Sequence, residues 1–171
     1  MIVIPPNTVT LNATNVAQSQ HPDWASGTMY SVGDRVYYVG EEPVRIYEAT
    51  QSTTGDVPPD SPAQWTLVTS SNRWSMFDGG TSTRTERSTS IDVTVSTAKA
   101  DRIALFGLTA DTVRVVAKDG TTVIDDTTHD TAGLNTFVAV LPGLFLNLTV
   151  EVTISATTAQ CAHLVVGLSK Q

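Results

Sequence analysis

The chain has 171 residues and a formal net charge of -7, so it repels phosphate backbones; with no basic stripe to offset this, nucleic acid is excluded as a partner. Only 16% of residues are charged and 40% are hydrophobic. Thr and Ser carry much of the polar surface instead, which suits pleated, half-exposed strand faces and points to an all-β chain.

The opening "MIVIPPNT" has neither a basic n-region nor a long apolar stretch, so no signal peptide is expected. No apolar run approaches the ~20 residues that cross a bilayer, so no membrane insertion is expected. The expectation is a soluble protein made in the cytoplasm. Val9 and Leu11 alternate with Thr after the Pro5–Pro6 break. Residues 1–20 therefore read as an extended arm with one short strand. Such an arm either adds a strand to a neighbour's sheet edge or packs on its own chain, and the sequence leaves both open.

Residues 21–69 hold Trp24, Tyr30, Tyr37, Tyr38, Tyr47 and Trp65. "DRVYYV" and "VRIYEAT" read as two antiparallel strands joined by "GEEP", with Gly40 free to take a positive φ. A unit this small buries little surface. Trp24 and Trp65, near its two ends, are the expected pair to close it. Tyr37 and Tyr38 are adjacent, so strand alternation turns one of them outward.

Residues 70–80, "SSNRWSMFDGG", place Trp74, Met76 and Phe77 between Ser-, Thr- and Gly-rich flanks. A flexible tether would be Gly and Ser alone. The large side chains predict an ordered junction docked into one or both neighbouring units, with Arg73 and Asp78 bracketing it. The alternative is that this stretch is simply the first strand of the C-terminal unit.

Residues 81–171 are a succession of alternating stretches: "SIDVTVST", "RIALFGL", "TVRVVAKD", "TTVIDDT", "TFVAVL", "LFLNLTVEVTIS" and "CAHLVVGL". With "KDGT" as a hairpin turn and no helical period between them, they predict a β-sandwich. "LFLNLTVEVTIS" exceeds an average strand and predicts a bend or bulge near Asn147. Cys161, the single cysteine, excludes an internal disulfide and reads as a small buried hydrophobe. His163 reads as structural and His21 as a loop residue.

Catalytic signatures such as GxSxG, HExxH and GxxxxGK[ST] do not occur, and no enzyme and no cofactor are expected. "DDTTHD" gathers Asp125, Asp126, His129 and Asp130. Carboxylates at this spacing are weak candidates for Ca²⁺, but the glycine and distal Glu of a calcium loop are missing. A solvated hairpin end is the expected reading.

The residues Trp24, Tyr30, Gly33, Asp34, Val36, Tyr38, Gly40, Tyr47, Glu48, Ala49, Pro58 and Trp65 form a pattern that resembles small carbohydrate-binding modules of the chitin-binding type, families five and twelve. That resemblance implies sugar stacking on exposed aromatics after the "Y.A" strand. Here Thr50, Gln51 and Ser52 stand at those positions, and Tyr37 and Tyr38 are the remaining candidate glycan contacts. The whole of residues 21–168 is similar to bacteriophage tail proteins, in which such a module precedes an "NRW.MFDG" junction like Asn72–Gly79 and a galactose-binding-type jelly roll. The resemblance implies a virion component of the tail, baseplate or neck, assembled with other virion proteins and as a homo-oligomer. The alternative it leaves is a module that grips host surface carbohydrate.

Overall fold

Period-two alternation and β-branched side chains dominate the chain, and the computed structural model, which describes residues 4–18 and 20–169, is all-β with antiparallel sheets. In order the strands are β1 (Thr10–Thr14), β2 (Met29–Tyr30), β3 (Arg35–Tyr38), β4 (Arg45–Ala49), β5 (Thr53–Thr54), β6 (Trp65–Ser70), β7 (Thr85–Phe106), β8 (Thr112–Asp119), β9 (Thr122–Asp130), β10 (Thr136–Cys161) and β11 (His163–Gly167). Two short 3-10 turns, Pro58–Asp60 and Ser75–Phe77, interrupt them.

The aromatic-rich stretch forms a three-stranded sheet in the order β3-β4-β6 and a two-stranded ribbon β2-β5. Tyr30, Val36, Tyr47, Ala49 and Trp65 make one buried cluster, with Trp24 and Tyr38 packed against it. Tyr30 and Trp65 meet edge to face at 5.2 Å, and the Trp65 Nε1–H donates to the Asp56 carbonyl at 2.9 Å. Trp24 and Trp65 share this cluster without stacking on each other, because Trp24 instead meets Tyr38 edge-on at 6.0 Å. Gly40 does not have the positive φ expected of it. It lies under the Tyr38 ring: a Cβ there would come within 2.6 Å of it, so a larger residue makes the end of that ring shift.

The remaining strands fold into two layers that share β7 and β10. The first half of β7 pairs with β1 and with the second half of β10, which continues to β8 and β9. The second half of β7 pairs with the first half of β10 and with β11. Residues of both halves lie in one buried cluster: Ile91, Val93 and Val95 with Ile103 and Leu105, and Leu148, Val150, Val152 and Ile154 with Phe137, Ala139 and Leu141. Each large aliphatic or aromatic side chain there contributes about 1.5–3 kcal/mol on burial.

The four stretches "SIDVTVST", "RIALFGL", "TFVAVL" and "LFLNLTVEVTIS" were expected as four strands and are two, β7 and β10. The chain turns from one layer to the other without leaving the ladder. The register shifts between Val140 and Phe145, where Pro142 and Gly143 stand out of the pairing, and Asn147 adopts φ 63°. Asn tolerates that left-handed conformation better than most residues, and the register runs unbroken through it from Leu146↔Lys99 to Leu148↔Thr97, so the break expected near Asn147 falls earlier, between Val140 and Phe145.

The arm packs on its own chain. β1 pairs with β7 from Thr10↔Ser96 to Thr14↔Val93. The Asn7 amide donates to the Val166 carbonyl at 3.0 Å, and Val16 enters the sandwich core. Met1–Val3 lie outside the described residues.

Candidate functional site

Local hydrogen bonds set the 70–80 stretch. The Trp74 and Ser75 amides donate to the Ser71 carbonyl at 2.8 and 2.9 Å, and the Phe77 amide donates to the Trp74 carbonyl at 2.9 Å. This tight winding splays successive side chains in different directions. Trp74 packs on Tyr37, Val44 and Ile46, a second small cluster of the aromatic region. Met76 is fully buried in the sandwich core, and Phe77 packs against that core.

Polar groups close the same stretch from both sides. The Thr85 hydroxyl donates to the Asn72 carbonyl at 2.7 Å and accepts from the Met76 amide at 3.0 Å. Asn72 pairs with the backbone of Glu86 through both ends of its amide, each at 2.8 Å. Arg73 Nε donates to the Val16 carbonyl at 3.1 Å, tying the arm down. Asp78 accepts from the Gly80 amide at 2.7 Å and the Thr83 hydroxyl at 2.9 Å, so it holds its own turn.

Of the two sugar-contact candidates, Tyr37 is buried and Tyr38 is half-buried. Tyr37 is 1% exposed, its ring edge-on to His21 at 5.7 Å, and its hydroxyl accepts from the Gln20 amide at 3.1 Å. Tyr38 is half-buried against Trp24 and above Gly40. Alternation predicts one outward tyrosine, and Tyr37 is instead buried because Val44, Ile46, Trp74 and the His21 ring cover its face, while Pro22 and Trp24 bond along the edge of β3 and the Trp24 ring packs on the opposite, Tyr38 face. Burial leaves Tyr37 no ring face for a pyranose.

The acidic cluster is strand, not loop. Asp125, Asp126, His129 and Asp130 lie on β9, paired along β8. Arg114 Nε and Nη2 donate to both oxygens of Asp126 at 2.9 and 2.8 Å, and this bidentate contact holds the carboxyl below the usual Asp range. Asp125 accepts from the Thr127 hydroxyl, and Asp130 from the Ala132 amide. Adjacent Asp125 and Asp126 point to opposite strand faces. Among the described residues no three His, Cys, Asp or Glu side chains converge on a metal position. Cys161 is buried, and desolvation pushes its thiol up to about 12.

Two surface features were not singled out by the sequence. One is a polar cleft of about 610 Å³, lined by Gln20, Asn72, Arg84, Glu86, Arg87 and neighbouring hydroxyl residues. Glu86 and Arg84 are both fixed there by Gln160. The other is the first part of β10. Among the described residues its ladder partner is β7 alone, since β8 pairs only from Leu148 onward. Phe137, Ala139 and Leu141 face the core, so the alternate side chains turn out: Val138, Val140, Leu144 and Leu146 are 44%, 63%, 59% and 54% exposed. The signal was legible as an uncharged run from Thr131 to Val150, which the alternation splits into a buried and an exposed aliphatic set.

No family model matches the chain, and no curated protein matches it. Solved structures do show likeness. A GH29 fucosidase of Ruminococcus gnavus in complex with fucose has a TM-score of 0.45 at 11% identity; the match covers 57% of this chain but only 22% of the fucosidase. Chitosan-binding module 1 of a Paenibacillus sp. IK-5 chitosanase/glucanase has 0.41 at 17%, covering 55% of this chain and 82% of the module. The CBM32 of AlyQ, in complex with 4,5-unsaturated mannuronic acid, has 0.40 at 10%, covering 81% and 97%. At these values the likeness assigns no ligand to this chain.

Proposed function

We propose that the chain is a structural component of a bacteriophage virion, in the tail, baseplate or neck, held in place by other virion proteins through its β-layers. The observation that carries the reading is the outward aliphatic row Val138, Val140, Leu144 and Leu146 on a strand with one edge open. An open, apolar strand edge is a template for further pairing, and chains that act alone guard such edges with charge. The resemblance of Asn72–Gly79 and its flanking units to phage tail proteins supplies the virion context. The buried ring of Tyr37 favours assembly over sugar stacking.

A second reading, host carbohydrate binding, is favoured by the polar cleft at Gln20, Asn72, Arg84, Glu86 and Arg87, whose size suits a small saccharide. Two measurements separate the readings. Mass spectrometry and antibody labelling of purified particles should place the protein in the tail region; its absence from particles sinks the virion reading. A glycan array should stay at background; a signal lost with Arg84→Gln or Arg87→Gln would establish the second reading instead.

A further inference from the structure

We infer that β10 is a self-association edge: two copies of the chain pair antiparallel through Phe137–Leu141 about a two-fold axis, joining their β10-β7-β11 layers into one continuous sheet. The inference deepens the assembly reading, on which it rests, by naming the first partner as a second copy.

Among the described residues the edge is open over Phe137–Leu141, ahead of the register break, and no charged side chain stands on it. Along Thr136–Leu146 the ladder is filled on the β7 side only. Pro142, the one residue there that lacks a donor, sits in the register break beyond Leu141 and so outside the pairing run. The other open edges of the sandwich are managed differently. β9 carries Asp125, Asp126 and Asp130, and β1 is broken by a bulge between Leu11 and Ala13. These are the devices that stop strands from recruiting neighbours.

Charge selects the occupant. A chain of net charge -7 repels its own copies over most of its surface. The run from Thr131 to Val150 has no charged side chain, so two copies meet there without opposing like charges. A basic partner would find no anion on this run to recognise. An antiparallel pairing centred on Ala139 is self-complementary. Val138 of each copy then lies opposite Val140 of the other, and the outward valines of both form one apolar surface, as a closed isologous contact requires.

The test is the mass of the full chain in solution by light scattering across a concentration series, on the wild type, Val138→Lys, Val140→Lys and Val123→Lys. Val123 is a comparably exposed valine on β9 and serves as the matched control. The wild type and Val123→Lys should show twice the chain mass; Val138→Lys and Val140→Lys should fall to the single-chain mass with unchanged far-ultraviolet dichroism. A wild type that stays at the single-chain mass throughout, or a doubled mass that survives Val140→Lys in a folded variant, overturns the inference. Absence from purified particles with the dimer intact would overturn the virion reading and leave this one standing.

Discussion

Trp74 and Phe77 meet edge to face with ring centroids 6.1 Å apart, one ring seated on the Tyr37–Val44–Ile46 cluster and the other against the sandwich core. One short turn of chain therefore binds two separate hydrophobic clusters to each other. Trp74→Ala should cost roughly 3 kcal/mol, in the range of large aromatic truncations. It should also open residues 70–80 to protease while far-ultraviolet dichroism is kept. Native melting with no new cleavage would show that the contact carries no load.

The Thr85 hydroxyl satisfies a carbonyl and an amide at once, from a fully buried position. Thr85→Val keeps the shape and leaves both the Asn72 carbonyl and the Met76 amide without that partner. The expected loss is about 2–4 kcal/mol, since each stranded buried group costs ~1–3 kcal/mol. Thr83→Val, at a more open contact to Asp78, should cost far less in the same urea titration.

Gly167 is where the arm touches down: a Cβ there would collide with the Pro5 carbonyl oxygen. Backbone cannot step aside as a flexible side chain would. Gly167→Ala should therefore lift the Pro6–Gly167 pairing and speed hydrogen exchange at the Asn7 amide, with little effect on the small sheet β3-β4-β6. Unchanged protection at Asn7 would mean that the arm is held by β1 alone.

The Cys161 thiol lies near 9.0 in an open chain and is pushed up to about 12 by burial in the fold. The folded state thus keeps a proton that the unfolded state releases. Its contribution to stability is complete below pH 9 and is lost as pH rises from about 9 toward 12. Cys161→Ala should flatten this alkaline decline in urea midpoints. The native thiol should also resist a disulfide reagent at neutral pH; rapid labelling without unfolding would contradict its burial.

Much of the fold was legible because it depends on neighbours in sequence. The β8–β9 hairpin announces itself by Asp119–Gly120 between alternating runs, and β3 and β4 by their paired apolar faces. The continuity of β7 was not legible. Between Thr97 and Arg102 the chain reads Ala, Lys, Ala, Asp, which looks like a turn, yet the ladder to β10 holds on both sides of it. The burial of Tyr37 was hidden for a similar reason. Alternation tells which side chains share a face, but not that Trp74 and the His21 ring cover the second face. The acidic run on β9 looked like a loop because Arg114, the partner of Asp126, is twelve residues away.

The sharing of β7 and β10 between layers also governs how the chain is made. A nascent polypeptide released as far as Gly133 has all of β7 but none of the strand that lines it along nearly its whole length. Ile91, Val93, Ile103 and Leu105 must wait uncovered until residues 136–161 emerge. Pairing at this sequence distance is slow. The interval on the ribosome before β10 arrives is when this protein most needs a chaperone.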